Sequence, residues 1–177
     1  VEIAQKISCA EVLNVIVYYL KDENEIFRKM TLECVEKIIS KMWVIDIDKR
    51  LEQLLIDGLM LCFEEQNTDD SNNNNSNDIV LTCFGQVVTA LETRIKPYLP
   101  PICTAIQWRF TNKNPKVRKQ SADLIVQLAY ALKLNGEDAL MNRLGTILNE
   151  NLGEEYPEVL GSILKALKAL VINIGKS

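Results

Sequence analysis

Four cations fall within seven residues of this sequence: Lys113, Lys116, Arg118 and Lys119. Asn114 and Pro115 stand among them, an N-cap residue followed by one suited to the first helical position. Positive side chains at a helix N-terminus suit phosphate, because the helix dipole and the unpaired first-turn amides add to their charge. Contact with RNA or with a partner is one reading of the cluster. A solvated turn, with Arg118 bonded to an adjacent repeat, is the other. Arg94 and Lys96 make a weaker version of the same pattern. Glu154, Glu155 and Glu158 form an acidic cluster that reads as solvated or as facing a basic partner. Paired carboxylates act as acid and base only where a pocket raises one pKa, and no aromatic enclosure is evident around these.

Other chemistry is thinly supported. Histidine is absent, which removes the commonest general base and metal ligand and every Ser-His or Cys-His pair. Cysteines 9, 34, 62, 83 and 103 have no CxxC or zinc-knuckle spacing. They read as small buried apolar side chains in a reducing compartment. Gly58, Gly85, Gly145 and Gly161 sit inside helical patterns, where each costs ~1 kcal/mol relative to alanine. Close approach of stacked helices explains them better than a ligand pocket. No catalytic residue, metal ligand, cofactor or small-molecule substrate is expected.

The elements that carry the cluster follow a repeat. From Asn114, Val117, Ser121, Leu124, Ile125, Leu128 and Leu132 recur at helical spacing, and Asn135-Gly136 supplies the stop. Upstream, Asn24-Glu25-Ile26-Phe27-Arg28-Lys29 has the same order of capping Asn, polar step, apolar residue and Arg-Lys. Tyr156-Pro157-Glu158-Val159 keeps the proline and valine but not the arginine, and Asn77-Asp78-Ile79-Val80-Leu81 opens another such helix. The spacing averages roughly 44 residues, within the ~40–47 of HEAT or armadillo arrays. The expected fold is therefore all-α, a HEAT-repeat α-solenoid of about four helical hairpins in a right-handed superhelical stack. The expected repeats are 8–41, 46–94, 97–134 and 137–174, within one fragment, 1–177, of a longer solenoid.

In chain order, Ser8-Cys9-Ala10-Glu11 is a capping-box pattern, and Val12, Val15, Ile16, Tyr19 and Leu20 share the face that follows it. The next helix spans about Glu25 to Lys41 with a buried stripe of Ile26, Met30, Cys34, Val35 and Ile38. Asp46 or Asp48 caps a third, with Leu51, Leu54, Leu55, Leu59, Cys62 and Phe63 inward. Residues 67–77, rich in asparagine and without an apolar residue, form a disordered insert. Asp78 to Arg94 is helical, prolines 97, 100 and 101 break and restart the chain, and Trp108 lies partly exposed. The closing pair runs about Asp138 to Leu152 and Pro157 to Ile174. A formal charge of −4 argues against an independent binder of naked nucleic acid. No apolar run reaches the ~18 residues of a membrane span, and the first residues are too polar for a signal peptide.

Whole words of sequence carry a resemblance. Ile56-Asp57-Gly58, Phe63-Glu64-Glu65-Gln66, Arg94-Ile95-Lys96-Pro97-Tyr98-Leu99-Pro100, Trp108-Arg109-Phe110, Lys116-Val117-Arg118 and above all Leu152-Gly153-Glu154-Glu155-Tyr156-Pro157-Glu158-Val159-Leu160-Gly161-Ser162-Ile163-Leu164 resemble the largest subunit of the splicing factor 3b complex. The match runs from about Asp46 onward, with the asparagine tract as an insertion. The resemblance implies a middle portion of a HEAT superhelix in the U2 small nuclear ribonucleoprotein, in the nucleus. It implies a scaffold, not an enzyme, clamping the duplex between the U2 snRNA and the intron branch site. It implies other splicing factor 3b subunits as partners, among them a large propeller protein and a small zinc-containing one. In HEAT repeats an arginine at the place of Arg28 and Arg118 is usually structural. A HEAT-type adaptor or transport receptor that binds only proteins is the alternative, and an all-helical enzyme would need a deep polar pocket.

Overall fold

The computed structural model describes residues 9–41, 47–65 and 74–174. The chain divides into two compact units, 1–91 and 92–177. No strand occurs among the described residues.

In the first unit α1 (Cys9–Ile16) runs into a 3₁₀ turn (Val17–Lys21), followed by α2 (Glu25–Lys41), α3 (Lys49–Glu64) and α4 (Asn74–Leu91). The 3₁₀ turn packs on α2 and on α3, and α4 packs on α2 and α3. First arms thus lie on first arms and second arms on second arms, as stacked hairpins require. Asp48 caps α3, its carboxylate accepting from the amide of Leu51 at 2.7 Å. Between α3 and α4 the Phe63 and Phe84 rings meet edge to face, with centroids 6.3 Å apart, and neither ring is exposed. Gly58 makes α3 fit. A Cβ there would lie 2.7 Å from the Cβ of the buried Leu20.

The second unit begins with a 3₁₀ segment (Glu92–Tyr98) and continues through α5 (Leu99–Phe110), α6 (Pro115–Leu134), α7 (Asp138–Glu150) and α8 (Pro157–Ile174). α5 packs on α6 and α7, and α6 packs on α7 and most extensively on α8. α6 buries Val117, Leu124, Ile125, Leu128 and Leu132, each large aliphatic side chain contributing about 1.5–3 kcal/mol. It ends as a Schellman motif: the Glu137 amide donates to the Leu132 carbonyl and the Gly136 amide to that of Lys133, with Gly136 at φ +68°.

Several expectations are corrected. In α1 and its 3₁₀ turn the buried residues are Leu13, Val17 and Leu20, while Val15 and Tyr19 are exposed. In α2 the buried residues are Thr31, Leu32, Val35, Ile38 and Ile39, whereas Ile26, Met30 and Cys34 face outward. Val35 and Ile38 of the expected stripe are buried, and Thr31, Leu32 and Ile39 take the places expected of Ile26, Met30 and Cys34. α4 starts at Asn74, inside the tract expected to be disordered; a helix already held by Val80, Leu81 and Phe84 extends upstream at one hydrogen bond per residue ordered. It ends at Leu91, where Glu92 takes φ +51°, instead of running to Arg94. The prolines do not break the chain: the 3₁₀ segment carries Pro97, and Pro100 and Pro101 lie in the first turn of α5, where no amide is required. α7 ends at Glu150, two residues early. Ser8, Asp46 and residues 66–73 lie outside the described residues.

Gly145 and Gly161 differ from Gly58, since a Cβ at either meets nothing within 4 Å. Gly145→Ala and Gly161→Ala are therefore each expected to raise stability by about 1 kcal/mol, the helix-propensity difference alone. Urea denaturation followed by circular dichroism measures it.

Candidate nucleic-acid interface

The turn that enters α6 is built twice in the molecule. Before α2, Asp22 Oδ1 accepts from the Asn24 amide (2.8 Å) and Asn24 Oδ1 from the Ile26 amide (2.9 Å). Before α6, Asn112 Oδ1 accepts from the Asn114 amide (2.8 Å) and Asn114 Oδ1 from the Lys116 amide (2.9 Å). The arginine four residues after each cap reaches back to the turn. Arg28 donates to the carbonyls of Asp22 and Glu23 at 2.7 and 3.2 Å. Arg118 donates to those of Asn112 and Lys113 at 2.8 and 3.0 Å. These contacts establish the internal repeat by geometry as well as by spelling.

Each arginine then joins the next hairpin. Arg28 lies 3.8 Å from Glu65, just past α3. Arg118 grips Glu154, between α7 and α8, with two bonds of 2.7 and 2.8 Å. Its guanidinium also lies 5.7 Å from the Tyr156 ring centroid. The side chains of Arg118 and Glu154 are 14% and 7% exposed, so the pair is largely covered, at one wall of an open cleft that Asn112, Glu150 and Glu155 also line. The Arg118 hydrogen bonds hold the Glu154 carboxyl below the usual carboxylate range, and Glu154 in turn raises Arg118. Arg118 is committed inside the molecule, through a bidentate charged bond of the strong kind.

The remaining cations divide. Lys113 and Lys116 are exposed around the start of α6, and Lys119 bonds Asp123 one turn on at 2.6 Å. Lys96 donates to the Asn135 carbonyl at 3.0 Å and lies 3.7 Å from Glu137, so it closes the far end of α6. Arg94 is exposed on the same 3₁₀ segment. Twenty residues of α6 span about 30 Å, so the structure does not gather all six cations into one site. The first-turn amides of α6 are also taken: Lys116 donates to Asn114 Oδ1, and Val117 and Arg118 donate to the Asn114 carbonyl. Any anion recognised here meets lysine side chains rather than the helix end.

Sequence reasoning passed over a larger feature. Residues 93–122 contain no carboxylate and seven cations, although the chain as a whole is acidic. The first unit carries sixteen acidic and eight basic residues, the second eight acidic and twelve basic. The net charge had concealed this division. Burial pushes the Cys62 thiol up to about 11 and Cys103 to about 12, and raises Cys83 as well, so none of these three offers a thiolate. Among the described residues no three potential metal ligands cluster and no helix is long and apolar enough to cross a membrane.

Comparison with known proteins finds curated relatives. The chain is 48% identical, over all 177 residues, to the U2 snRNP component prp10 of Schizosaccharomyces pombe. It is 39% identical over 167 residues to the U2 snRNP component HSH155 of Saccharomyces cerevisiae. The chain is thus similar, along nearly all its length, to a segment of each of two U2 snRNP components. It spans 14% and 16% of the length of those two relatives. No model of a known protein family matches the sequence. An engineered protein of known crystal structure superposes at a TM-score of 0.53 with 15% identity, covering 91% of this chain and 63% of its own. That likeness concerns the fold alone and agrees with an all-α solenoid of HEAT-type hairpins.

Proposed function

We propose that this chain is a scaffold segment of a U2 snRNP component that works in pre-mRNA splicing in the nucleus. In this reading it helps to hold the duplex between U2 snRNA and the intron branch site, and it binds neighbouring subunits of the splicing factor 3b complex. It acts by shape and charge, not by catalysis. The observation that carries the reading is alignment along the whole chain, at 48% identity, to a protein named as a U2 snRNP component. The contact to RNA is assigned to Lys113 and Lys116, with Lys119 beside them and Arg94 as an outlying cation. Arg118 and Lys96 keep the two ends of α6 in place.

The test is to exchange the matching segment of prp10 for this chain in fission yeast. The account expects growth, co-purification of the hybrid with U2 snRNA, and normal removal of introns. A hybrid that is folded and abundant yet fails to co-purify with U2 snRNA contradicts it. Within the chain, Lys113→Glu with Lys116→Glu is expected to weaken RNA association with no loss of helicity. Each phosphate contact removed lowers the slope of log affinity against log salt by roughly 0.7–0.9.

A further inference from the structure

Trp108 is 71% exposed in the last turn of α5. Its carbonyl accepts from the Thr111 hydroxyl at 2.7 Å, which closes the turn leading to Lys113 and Lys116. Five residues after the tryptophan comes one exposed lysine and eight residues after it another. We propose that this turn is a platform for single-stranded RNA, with an unpaired base stacked on the Trp108 indole and the flanking phosphates met by Lys113 and Lys116. The proposal rests on the reading that the chain touches RNA, and it adds the class of RNA, unpaired rather than duplex, and the residue that distinguishes the two.

The repeat supplies internal controls. Ten residues before Arg28, the position matching Trp108 is Tyr18, whose hydroxyl is engaged by Arg50 at 2.5 Å. The turn after Tyr18 carries Asp22, Glu23 and Glu25. Before α8 the matching position is Glu150, and Glu154, Glu155 and Glu158 follow. Before α2, Lys21, Arg28 and Lys29 only offset the three carboxylates, and before α8 the four carboxylates stand without a cation among them in sequence. Tyr18 and Tyr19 are also exposed, beside Lys21, but among the described turns that enter a second arm only the one before α6 sets its ring and cations within thirty residues lacking any carboxylate. That combination, a stacking ring beside backbone-binding cations, is how proteins hold single strands. In duplex RNA the bases are already stacked on one another, and the indole has no face to meet. The platform is also stiff: Pro115 fixes one backbone angle, Asn112 and Asn114 close successive side-chain turns, and Arg118 ties two carbonyls to the neighbouring hairpin. Glu150 and Glu155 line the open cleft together with Thr111 and Asn112, so carboxylates stand on one side of the turn.

The experiment titrates the full chain against a fluorescent oligouridine and against a fluorescent RNA duplex, reading anisotropy at several salt concentrations. Trp108→Ala is expected to weaken oligouridine binding by roughly 5- to 100-fold, the worth of one stacked base, and to change duplex binding by less than about twofold. Trp108→Phe should restore most of the loss. Lys113→Glu with Lys116→Glu should weaken both ligands and flatten the salt dependence. If Trp108→Ala binds oligouridine like the parent while the lysine variant does not, the platform is overturned and the RNA reading stands. If neither RNA is bound, or no variant alters binding, both fall. That includes the case in which Trp108 is needed only for capture of a protein partner. Circular dichroism of each variant checks that the exposed substitutions leave the helices intact.

Discussion

Arg118→Met is expected to lower stability by about 2–3 kcal/mol, the range for a hydrogen bond between charged groups left with one partner missing. The substitution keeps the aliphatic stem but removes five donors. It strands the Glu154 carboxylate, which is 7% exposed, and frees the carbonyls of Asn112 and Lys113. Glu154→Gln should cost less, because the amide oxygen still accepts one bond. In a double-mutant cycle with Arg118→Met the two losses should fall short of additive by about 1 kcal/mol or more. Urea unfolding of the four proteins measures this.

The same pair sets a pH response. Glu154 has a folded pKa below its unfolded value of about 4.5. Its contribution is therefore complete above roughly pH 5 and is lost as pH falls through the depressed folded value. The parent should lose stability in that acid window more steeply than Glu154→Gln, and the two curves should run parallel above it. Arg118 is raised further from its already high ordinary value and has no effect near neutrality.

Gly58→Val is expected to cost about 2 kcal/mol, with the loss concentrated in the first unit. A Cβ at this position meets Leu20 Cβ at 2.7 Å and Leu20 Cδ1 at 2.8 Å. Leu20 is not exposed, and its carbonyl accepts from the Cys62 thiol at 3.2 Å, so the contact cannot relax by a simple rotation. Overpacking of this kind costs typically 1–3 kcal/mol and outweighs the gain in helix propensity. Alanine at Gly58 should destabilise while alanine at Gly145 stabilises. Opposite signs from the same chemical change locate where the hairpins press together. Native-state hydrogen exchange should place the Gly58→Val effect on α3 and the 3₁₀ turn.

Element type and spacing were legible in the sequence because each hairpin carries local signals. α2 and α8 have the bounds that their caps and stops announce, and Asn114-Pro115 marks the start of α6 to the residue. Which face turned inward was less legible. In α2, apolar residues occur both at Ile26, Met30 and Cys34 and at Leu32, Val35 and Ile39, so helical periodicity allows either stripe. Packing against α4 and the 3₁₀ turn selects the second, and those contacts come from residues distant in sequence. α1 repeats the case with Val15 outside and Val17 inside.

The site divides in the same way. Four cations near Pro115 could be counted, and the alternative of an arginine bonded to a neighbouring repeat was already present in the repeat pattern. That Arg118 meets Glu154, 36 residues on, required the α7–α8 turn to be in place. Lys96 belongs to the opposite end of α6 because the Schellman turn brings the Asn135 carbonyl to it. Trp108 reads from the sequence as a partly exposed helix residue, and the role proposed for it depends on the lack of carboxylates along residues 93–122, which only a count by region reveals.

The central claim is that RNA meets this scaffold at the basic turn of the second unit. Ultraviolet crosslinking of RNA in the assembled particle, followed by peptide mapping, tests it most directly. The account predicts crosslinks on peptides covering Trp108 to Lys119, diminished by Lys113→Glu with Lys116→Glu. Crosslinks confined to the acidic first unit, or a chain that assembles into the particle with none in the second, would contradict it.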